Sequence, residues 1–261
     1  MKRVVISFIL LLSIFQVNAQ DMSIYENKQL VVGKDTLRYR IMYPKNFDKT
    51  KKYPLILFLH GSGERGNDNN AQLVHGGELF AKPEIRESYP AIVIFPQCPK
   101  KSFWANTKWD RNPDSSNHFT FFPFDKPTKP MELTIKLVKN LLKEKYIDKN
   151  RVYVGGLSMG GMGTYEILYR CPKTFAAAFP ICGGGNPESV KKYAKKVNMW
   201  VFHGAKDDVV PPKYSEEMVD AIKKNGENIK FTLYPNANHN SWDSAFAEPD
   251  LLPWLFSNIK K

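Results

Sequence analysis

Short hydrophobic runs recur along the chain between polar and amphipathic segments. Continuous apolar runs bounded by turn residues are typical of strands buried on both faces of a parallel sheet. Such runs lie at Pro54–Leu59, Ala91–Phe95, Val152–Val154, Phe175–Ile181 and Met199–Phe202, and Ile229–Tyr234 predicts a last strand. The chain therefore has the strand content of a sizeable sheet.

Helical segments separate most of these strands. Met131–Tyr146 carries leucines at helical spacing with lysines between them, which predicts an amphipathic helix. Helices are also predicted for Met162–Tyr169, for Pro212–Asn225 and for the lysine-rich segment after the Gly183–Gly185 loop. Strands that alternate with helices predict an α/β fold, with a mostly parallel sheet covered by helices on both faces.

A hairpin and a turn are predicted from two further parts of the chain. Gln29–Val32 and Thr36–Tyr43 flank a Gly33–Asp35 turn and predict an antiparallel hairpin. Asp148–Asn150 is predicted to turn the chain into the strand at Val152–Val154.

Lys100–Pro130 shows no clear period, and loops of that length are often lids or binding loops. Its aromatic residues are Trp104, Trp109, Phe119, Phe121, Phe122 and Phe124. They form either a wall over a binding site or an anchor that holds a surface loop to the body.

The first twenty residues differ from the rest of the chain. Lys2 and Arg3 precede the apolar run Val4–Phe15, and Val17–Ala19 ends in a small residue suited to signal peptidase. We therefore expect a signal peptide over residues 1–19 and a single domain over residues 20–261 that is periplasmic or secreted. The run is too short to cross a bilayer and no cysteine follows it that could carry a lipid, so we expect no membrane span.

Composition adds two points. The formal net charge is +12, but the lysines are spread along helices and turns, so we expect a solvated cationic surface and no nucleic-acid partner.

Cys98, Cys171 and Cys182 allow at most one intramolecular disulfide, in three pairings. The sequence leaves open whether one forms, and it does not predict the oligomeric state.

A sharp strand-to-helix turn is predicted directly after Val152–Val154. Gly156–Gly160 reads Gly-Leu-Ser-Met-Gly and matches the G-x-S-x-G nucleophile elbow, in which glycines prevent backbone clashes and the serine hydroxyl projects from the sheet. Ser158 is thus the candidate nucleophile. The alternative is a glycine-rich turn that happens to contain a serine.

A serine nucleophile needs a histidine base, and that histidine needs a carboxylate to orient it. In hydrolases with this elbow, the order along the chain is serine, acid, histidine. His239 is the only histidine after the candidate acids, so order selects it over His203, which we expect to stabilise its own turn. Asp207 and Asp208 both follow a predicted strand, and position alone does not separate them.

The tetrahedral intermediate needs preorganised N–H donors for its oxyanion. We expect one from the backbone of Met159 and a second from the glycine-rich loop after the first buried strand, at Ser62 or at Gly63. Arg65 in that loop has two interpretations. It binds an acidic substrate group, or it forms a surface ion pair with Glu64, which is the role we favour.

Six segments together resemble the α/β-hydrolase esterases often labelled predicted peptidases, which are related to feruloyl and acetylxylan esterases and to polyhydroxybutyrate depolymerases. These segments are His60–Gly66, Pro96–Pro99, Gly156–Gly161, Pro180–Gly185, His203–Pro211 and His239–Trp242. They extend over most of the chain after residue 19. The resemblance implies an α/β-hydrolase fold with helices on both faces of a mostly parallel sheet.

The resemblance also implies roles for single residues. It favours Asp207 as the acid, because this residue stands four positions before a proline, and Ser62 as the donor that follows His-Gly. It implies substrate-binding positions at Gln97, Trp104 and Trp242, although either tryptophan could instead be core. Dienelactone hydrolase relatives carry a cysteine at the elbow, and the serine here argues against that chemistry.

These features predict a secreted serine carboxylic-ester hydrolase that forms an acyl-enzyme on Ser158. Its substrates would be small-molecule or polysaccharide-linked esters such as feruloyl or acetyl esters. The alternative enzyme is a peptidase that resembles the catalytic domain of prolyl oligopeptidases, for which we expect no large gating domain. A non-catalytic carbohydrate-binding protein is a third interpretation. No cofactor or metal is implied, because Asn67–Asn70 lacks the ligand spacing of a known calcium loop.

Overall fold

An eight-stranded sheet is the frame of the protein in a computed structural model that describes residues 21–111, 117–226 and 229–260. Numbered along the chain, its strands are β1 (Glu26–Val32), β2 (Asp35–Met42), β3 (Tyr53–Leu59), β4 (Ile92–Pro96), β7 (Ile147–Leu157), β8 (Ala177–Ile181), β9 (Asn198–Gly204) and β10 (Ile229–Tyr234). Strands β5 (Thr107–Arg111) and β6 (Asn117–Phe121) form a separate antiparallel hairpin. The predicted signal peptide at residues 1–19 lies outside the described residues.

The strands follow the order β1-β2-β4-β3-β7-β8-β9-β10 across the sheet. β2 runs antiparallel to both β1 and β4. From β4 to β10, all neighbouring strands are parallel. The predicted hairpin at the start of the domain and the predicted mostly parallel sheet are both confirmed.

Helices cover the sheet on both faces. They are α1 (Gly77–Ala81), α2 (Pro83–Ser88), α3 (Lys129–Leu141), α4 (Met159–Arg170), α5 (Lys213–Asn225), α6 (Trp242–Phe246) and α7 (Leu251–Ser257). Successive side chains of a strand point to opposite faces. In β3, Leu55 and Leu57 belong to a buried cluster with residues of α3, α4 and α5. Ile56 and Phe58 belong to a second cluster with residues of α1 and α7.

Three stretches differ from the predictions. Lys100–Pro130 contains the β5–β6 hairpin, which the irregular hydrophobic pattern did not predict. Asp148–Asn150 is part of β7, not a turn before it, because the pairing of β7 with β3 shifts register there and accommodates the extra residues. The lysine-rich segment is helical as predicted, but it forms only a short 3₁₀ helix, Pro187–Lys192.

Two further findings concern the whole described chain. All three cysteines are unpaired, and Cys98 and Cys182 are buried. Across the ranges that the structure describes, no helix has the length and hydropathy to cross a bilayer.

Candidate active site

Ser158 occupies the turn between β7 and α4. Its backbone has φ 53° and ψ −118°, a conformation that costs free energy for any residue other than glycine and is typical of functional sites. The Ser158 N–H donates to the carbonyl of Ile181 (2.9 Å), and the Ser158 carbonyl accepts from Met162 (3.0 Å). These two bonds hold the strained turn between the sheet and the first turn of α4.

The glycines on either side of Ser158 are required by close backbone contacts. A Cβ at Gly160 would lie 1.9 Å from the carbonyl oxygen of Leu59, and a Cβ at Gly156 would lie 2.4 Å from the carbonyl oxygen of Gly160. Any side chain at either position would therefore displace the main chain of the turn or of β3. The strand-turn-helix interpretation of this segment is confirmed.

The candidate nucleophile, base and acid lie in one hydrogen-bonded chain. Ser158 Oγ lies 3.0 Å from His239 Nε2, and His239 Nδ1 lies 2.8 Å from Asp207 Oδ2. Asp207 follows β9 and His239 follows β10, and parallel strands bring their carboxyl ends to the same edge of a sheet. The structure thus brings together the three residues that were selected from chain order and resemblance.

The acid site is built around Asp207 and not around its neighbour. Asp207 Oδ1 accepts from the N–H groups of Val209 and Val210, each at 2.9 Å, and Oδ2 faces His239. Burial alone would raise the pKa of Asp207, but hydrogen bonds from His203 and His239 outweigh it and lower the pKa to about 2. Asp207 is therefore an ionised carboxylate at neutral pH, whereas Asp208 is exposed.

A second histidine contacts the same carboxylate. His203 is fully buried, and its Nε2 lies 3.1 Å from Asp207 Oδ2 and 2.8 Å from the carbonyl oxygen of Val210. Its Nδ1 lies 2.7 Å from Ser215 Oγ. Because both neighbours of Nε2 are acceptors, Nε2 carries a proton and donates it to them. His203 thus stabilises the turn that holds the acid, as its position in the sequence predicted.

Two backbone N–H groups are available for an oxyanion. Ser62 and Met159 both line the cleft that contains Ser158, whereas Gly63 does not line it. Neither the Ser62 nor the Met159 N–H has a hydrogen-bond acceptor among the residues that the structure describes. Both are therefore free to donate to a bound substrate.

His60 fixes the loop that carries Ser62. Its Nδ1–H donates to the Gly61 carbonyl (2.6 Å), and its Nε2 accepts from the N–H of Cys98 (2.9 Å). Burial of the ring lowers the pKa of His60 to about 4. The neutral ring is the form that the hydrogen bonds require, because a protonated Nε2 could not accept from Cys98.

A cleft of about 550 Å³ opens beside Ser158. Its apolar side is formed by aromatic and aliphatic residues from the segment before β5, the β5–β6 hairpin, α4 and the acid turn: Phe103, Trp109, Phe119, Met162, Val209 and Val210. Its charged lining residues are Arg65 and Lys108. Trp109 and Phe119 lie opposite each other in the hairpin, and Trp109 as a whole residue is 57% exposed.

Two of the three predicted substrate-binding residues need correction. Trp104 is fully buried, and its Nε1–H donates to the carbonyl of His60 (3.0 Å). Gln97 is also buried, and its side-chain oxygen accepts from the N–H of Asn69 (2.8 Å). Trp242 packs edge-on against the ring of His239, with centroids 5.4 Å apart. Neither Trp104 nor Gln97 lines the cleft, because both are buried and support the oxyanion loop. Trp242 is partly exposed and supports the histidine, and its role in substrate binding stays a prediction.

Other residues of the aromatic segment line the cleft, so both interpretations of that segment hold for different side chains. Phe103, Trp109 and Phe119 form a wall of the site. Phe121 instead packs against Tyr214, with ring centroids 5.9 Å apart, and anchors the hairpin. Alternation of apolar and polar residues in Asn117–Phe121 is the signal that could have indicated the hairpin.

One group of side chains near the site has donor atoms close enough for a metal ion. Cys182, Asp207 and His239 place one ligand atom each within 4.8 Å of one another. A metal there would have to break the hydrogen bond between Asp207 and His239. The thiol of Cys182 is fully buried, and this burial raises its pKa well above the ordinary range. The arrangement therefore fits the hydrogen-bonded triad better than a metal centre.

Comparisons with known proteins agree with this geometry. A family model described as phospholipase/carboxylesterase matches residues 46–248. Lysophospholipase-like protein 1 of Mus musculus is 25% identical over 197 residues, which cover 70% of this chain and 79% of that protein. The bifunctional acetylxylan esterase/xylanase of Neocallimastix patriciarum is 31% identical over 130 residues, which cover 46% of this chain and 19% of that protein.

A solved structure is also similar. The crystal structure of a thermostable esterase superposes with a TM-score of 0.79 and 32% identity, over 91% of this chain and 64% of that chain. This chain thus spans less than two thirds of the length of that esterase, and about a fifth of the bifunctional enzyme.

Proposed function

Because this chain belongs to the phospholipase/carboxylesterase family and has the α/β-hydrolase fold, we propose that it is a secreted serine esterase that cleaves acyl esters of polysaccharide. The observation that carries the proposal is the hydrogen-bonded chain from Asp207 through His239 to Ser158. This arrangement is the one that activates a serine hydroxyl for acyl transfer.

The geometry defines the proton path. Asp207 Oδ2 accepts from the Nδ1–H of His239, which leaves the Nε2 lone pair directed at Ser158 Oγ. As Oγ attacks the ester carbonyl carbon, Nε2 takes the hydroxyl proton. The imidazolium that forms is stabilised by the buried carboxylate, and it returns the proton to the leaving alcohol. A water molecule, deprotonated by the same nitrogen, then releases the acid from the acyl-enzyme.

The oxyanion formed in each tetrahedral intermediate would receive hydrogen bonds from the N–H groups of Ser62 and Met159. Each such donor is worth about 3 kcal/mol of transition-state stabilisation in serine hydrolases. Their lack of an acceptor among the described residues supports this role. The strained elbow supports it too, because it presents the Met159 N–H and the Ser158 hydroxyl to the same cleft.

The size and the lining of the cleft favour an aromatic acyl group over an acetyl group as the acid part of the ester. Its volume of about 550 Å³ lies in the range of sites that enclose drug-sized ligands. Phe103, Trp109 and Phe119 offer ring faces and edges to a planar acid such as ferulate. The predicted signal peptide supports secretion, and the acetylxylan esterase named above supports polysaccharide as the carrier of the ester.

The test is hydrolysis of methyl ferulate and 4-nitrophenyl acetate by the purified chain, with Ser158→Ala as the matched blank. We expect turnover of both esters by the wild type, with methyl ferulate favoured in kcat/KM. Ser158→Ala should lose at least about 10⁴-fold in kcat. Equal turnover by Ser158→Ala would refute the nucleophile, and faster cleavage of a prolyl 4-nitroanilide than of either ester would favour a peptidase.

A further inference from the structure

Arg65 places its guanidinium at the cleft in a fixed orientation. Its Nε–H donates to the carbonyl of Ser62 (3.0 Å), and Nη1 donates to the carbonyl of Ser102 (3.3 Å). The guanidinium carbon lies 4.7 Å from the centroid of the Phe103 ring. Two backbone contacts and one aromatic face therefore hold a flexible side chain in one position, so that little further conformational entropy is lost when it binds a ligand.

The charge of Arg65 is not neutralised by the protein. The expected ion pair with Glu64 is absent: Glu64 Oε1 instead lies 3.8 Å from His75 Nε2. Throughout the described ranges, no carboxylate lies within ion-pair distance of Arg65. A guanidinium has five N–H donors, and only two of them have partners in the described residues.

Lys108, the other cation that lines the cleft, differs in this respect. Its Nζ lies 3.1 Å from Asp110 Oδ2, so a neighbouring side chain of the same strand balances its charge. Arg65 is thus the cleft-lining cation without a counterion among the described residues. Its side chain is half-buried beside Phe103, where an ion pair is screened less than at an open surface.

We infer that Arg65 binds a carboxylate on the ester substrate, so that the enzyme prefers esters bearing an acidic group. The inference rests on the proposed ester hydrolysis and names the substrate class of that same cleft. Three unpartnered N–H donors on a planar fork match the two oxygens of a carboxylate. The formal net charge is +12 and is +10 once Lys2 and Arg3 of the predicted signal peptide are subtracted, which adds long-range attraction for anionic substrates.

A purely structural role of Arg65 predicts a different effect of its replacement on ester turnover. If Arg65 only tied the loop of Ser62 to the segment of Ser102, its loss would slow every ester by the same factor, because the same oxyanion donor serves all of them. If Arg65 binds a carboxylate, its loss slows acidic esters further than neutral ones. The ratio of kcat/KM between acidic and neutral esters therefore separates the two roles.

The experiment measures this ratio for two pairs of esters at pH 7. Monomethyl adipate against methyl hexanoate places the carboxylate in the acyl part, and 4-acetoxybenzoate against 4-acetoxybenzamide places it in the alcohol part. Comparing each ratio between wild type and variant cancels the intrinsic reactivity of the esters. Arg65→Met removes the charge, and Lys108→Met is the matched control for a cleft cation that already has a counterion.

We expect Arg65→Met to lower the acidic-to-neutral ratio by about ten- to hundredfold in one of the two pairs, the size expected for a hydrogen bond to a charged group. The pair that responds identifies the part of the substrate that carries the carboxylate. Lys108→Met should lower both ratios much less than Arg65→Met lowers the responding one, because the charge that it removes is already paired with Asp110. In the wild type, the preference for the acidic ester should weaken as ionic strength rises.

Equal losses for acidic and neutral esters in Arg65→Met would overturn the inference while leaving the esterase function intact. Absence of Ser158-dependent turnover of the neutral esters would instead refute the proposed function. For that case, calorimetric binding of monomethyl adipate to Ser158→Ala, with and without Arg65→Met, tests the carboxylate site without turnover. Identical affinities for the two proteins would overturn the inference there as well.

Discussion

His60 gives the protein a stability that depends on pH, because its hydrogen bonds require the neutral ring. Its Nε2 accepts from Cys98, its Nδ1–H donates to Gly61, and its ring is fully buried. Protonation of Nε2 breaks the bond from Cys98 and places a charge in the core. The perturbation that tests this is His60→Gln, because a glutamine amide can still accept at that distance but does not titrate.

The magnitude follows from the two pKa values of the histidine. Burial, the largest cause, lowers the pKa of His60 in the folded protein to about 4, against about 6.5 in an unfolded chain. Between these values the unfolded chain binds more protons, so the contribution of His60 to folding is complete above pH 6.5 and is lost as pH falls toward 4. At pH 4 the loss is about 3 kcal/mol, from about 1.4 kcal/mol per pKa unit.

Urea unfolding of the wild type and His60→Gln at pH 7, 6, 5 and 4 measures this loss. Other titrating groups contribute equally to both proteins, so the difference between the two pH profiles isolates His60. We expect the wild-type free energy of unfolding to fall by about 3 kcal/mol more than that of the variant between pH 7 and pH 4. Parallel profiles would refute the assigned proton and acceptor roles of the ring.

Three further predictions concern the elbow, the acid and the cleft. Gly160→Ala should destabilise the fold by about 3 kcal/mol or more and abolish ester turnover, because its Cβ would lie 1.9 Å from a main-chain carbonyl oxygen. Gly63→Ala should change the urea midpoint little, because its Cβ would meet nothing within 4 Å. Equal destabilisation by Gly160→Ala and Gly63→Ala would contradict the role assigned to the backbone contact at Gly160. Asp207→Asn should lower kcat/KM about 10⁴-fold while Asp208→Asn leaves it unchanged, and the reverse pattern would show that the acid is misassigned. Trp109→Ala should raise KM for methyl ferulate about two- to tenfold. It should not shift the urea midpoint, because Trp109 is 57% exposed. An unaltered KM would show that Trp109 does not belong to the acyl site.

The residues of the candidate triad were predictable because turn chemistry and order along the chain can be read directly from the sequence. Ser158 stands in a pattern whose glycines are dictated by backbone contacts, and His239 is the only histidine after the acid. The local sequence did not distinguish Asp207 from Asp208 as the acid, because both residues stand in the same turn. Only the folded structure shows that the first is buried and accepts four hydrogen bonds, whereas the second is exposed.

The residues that line the cleft were not predictable for a related reason. Trp104 and Trp109 are both aromatic residues in one irregular segment, and five positions separate them. One points into the core, where its indole N–H bonds to His60, and the other lies on a hairpin strand and faces the cleft. The direction of each side chain depends on how the segment packs against the sheet, which hydrophobic periodicity does not encode here. The lack of a counterion at Arg65 was not predictable from the sequence either, because it depends on how the loop packs.

Labelling of the intact protein by a fluorophosphonate, followed by mass spectrometry of the modified peptide, tests directly whether Ser158 is an activated nucleophile. A fluorophosphonate reacts with a serine only when a base activates it and an oxyanion site receives it. We expect one label per chain on Ser158, loss of ester turnover in proportion to labelling, and no label in His239→Ala. Ester turnover that persists in the fully labelled protein, or a label on any other residue, would contradict this expectation.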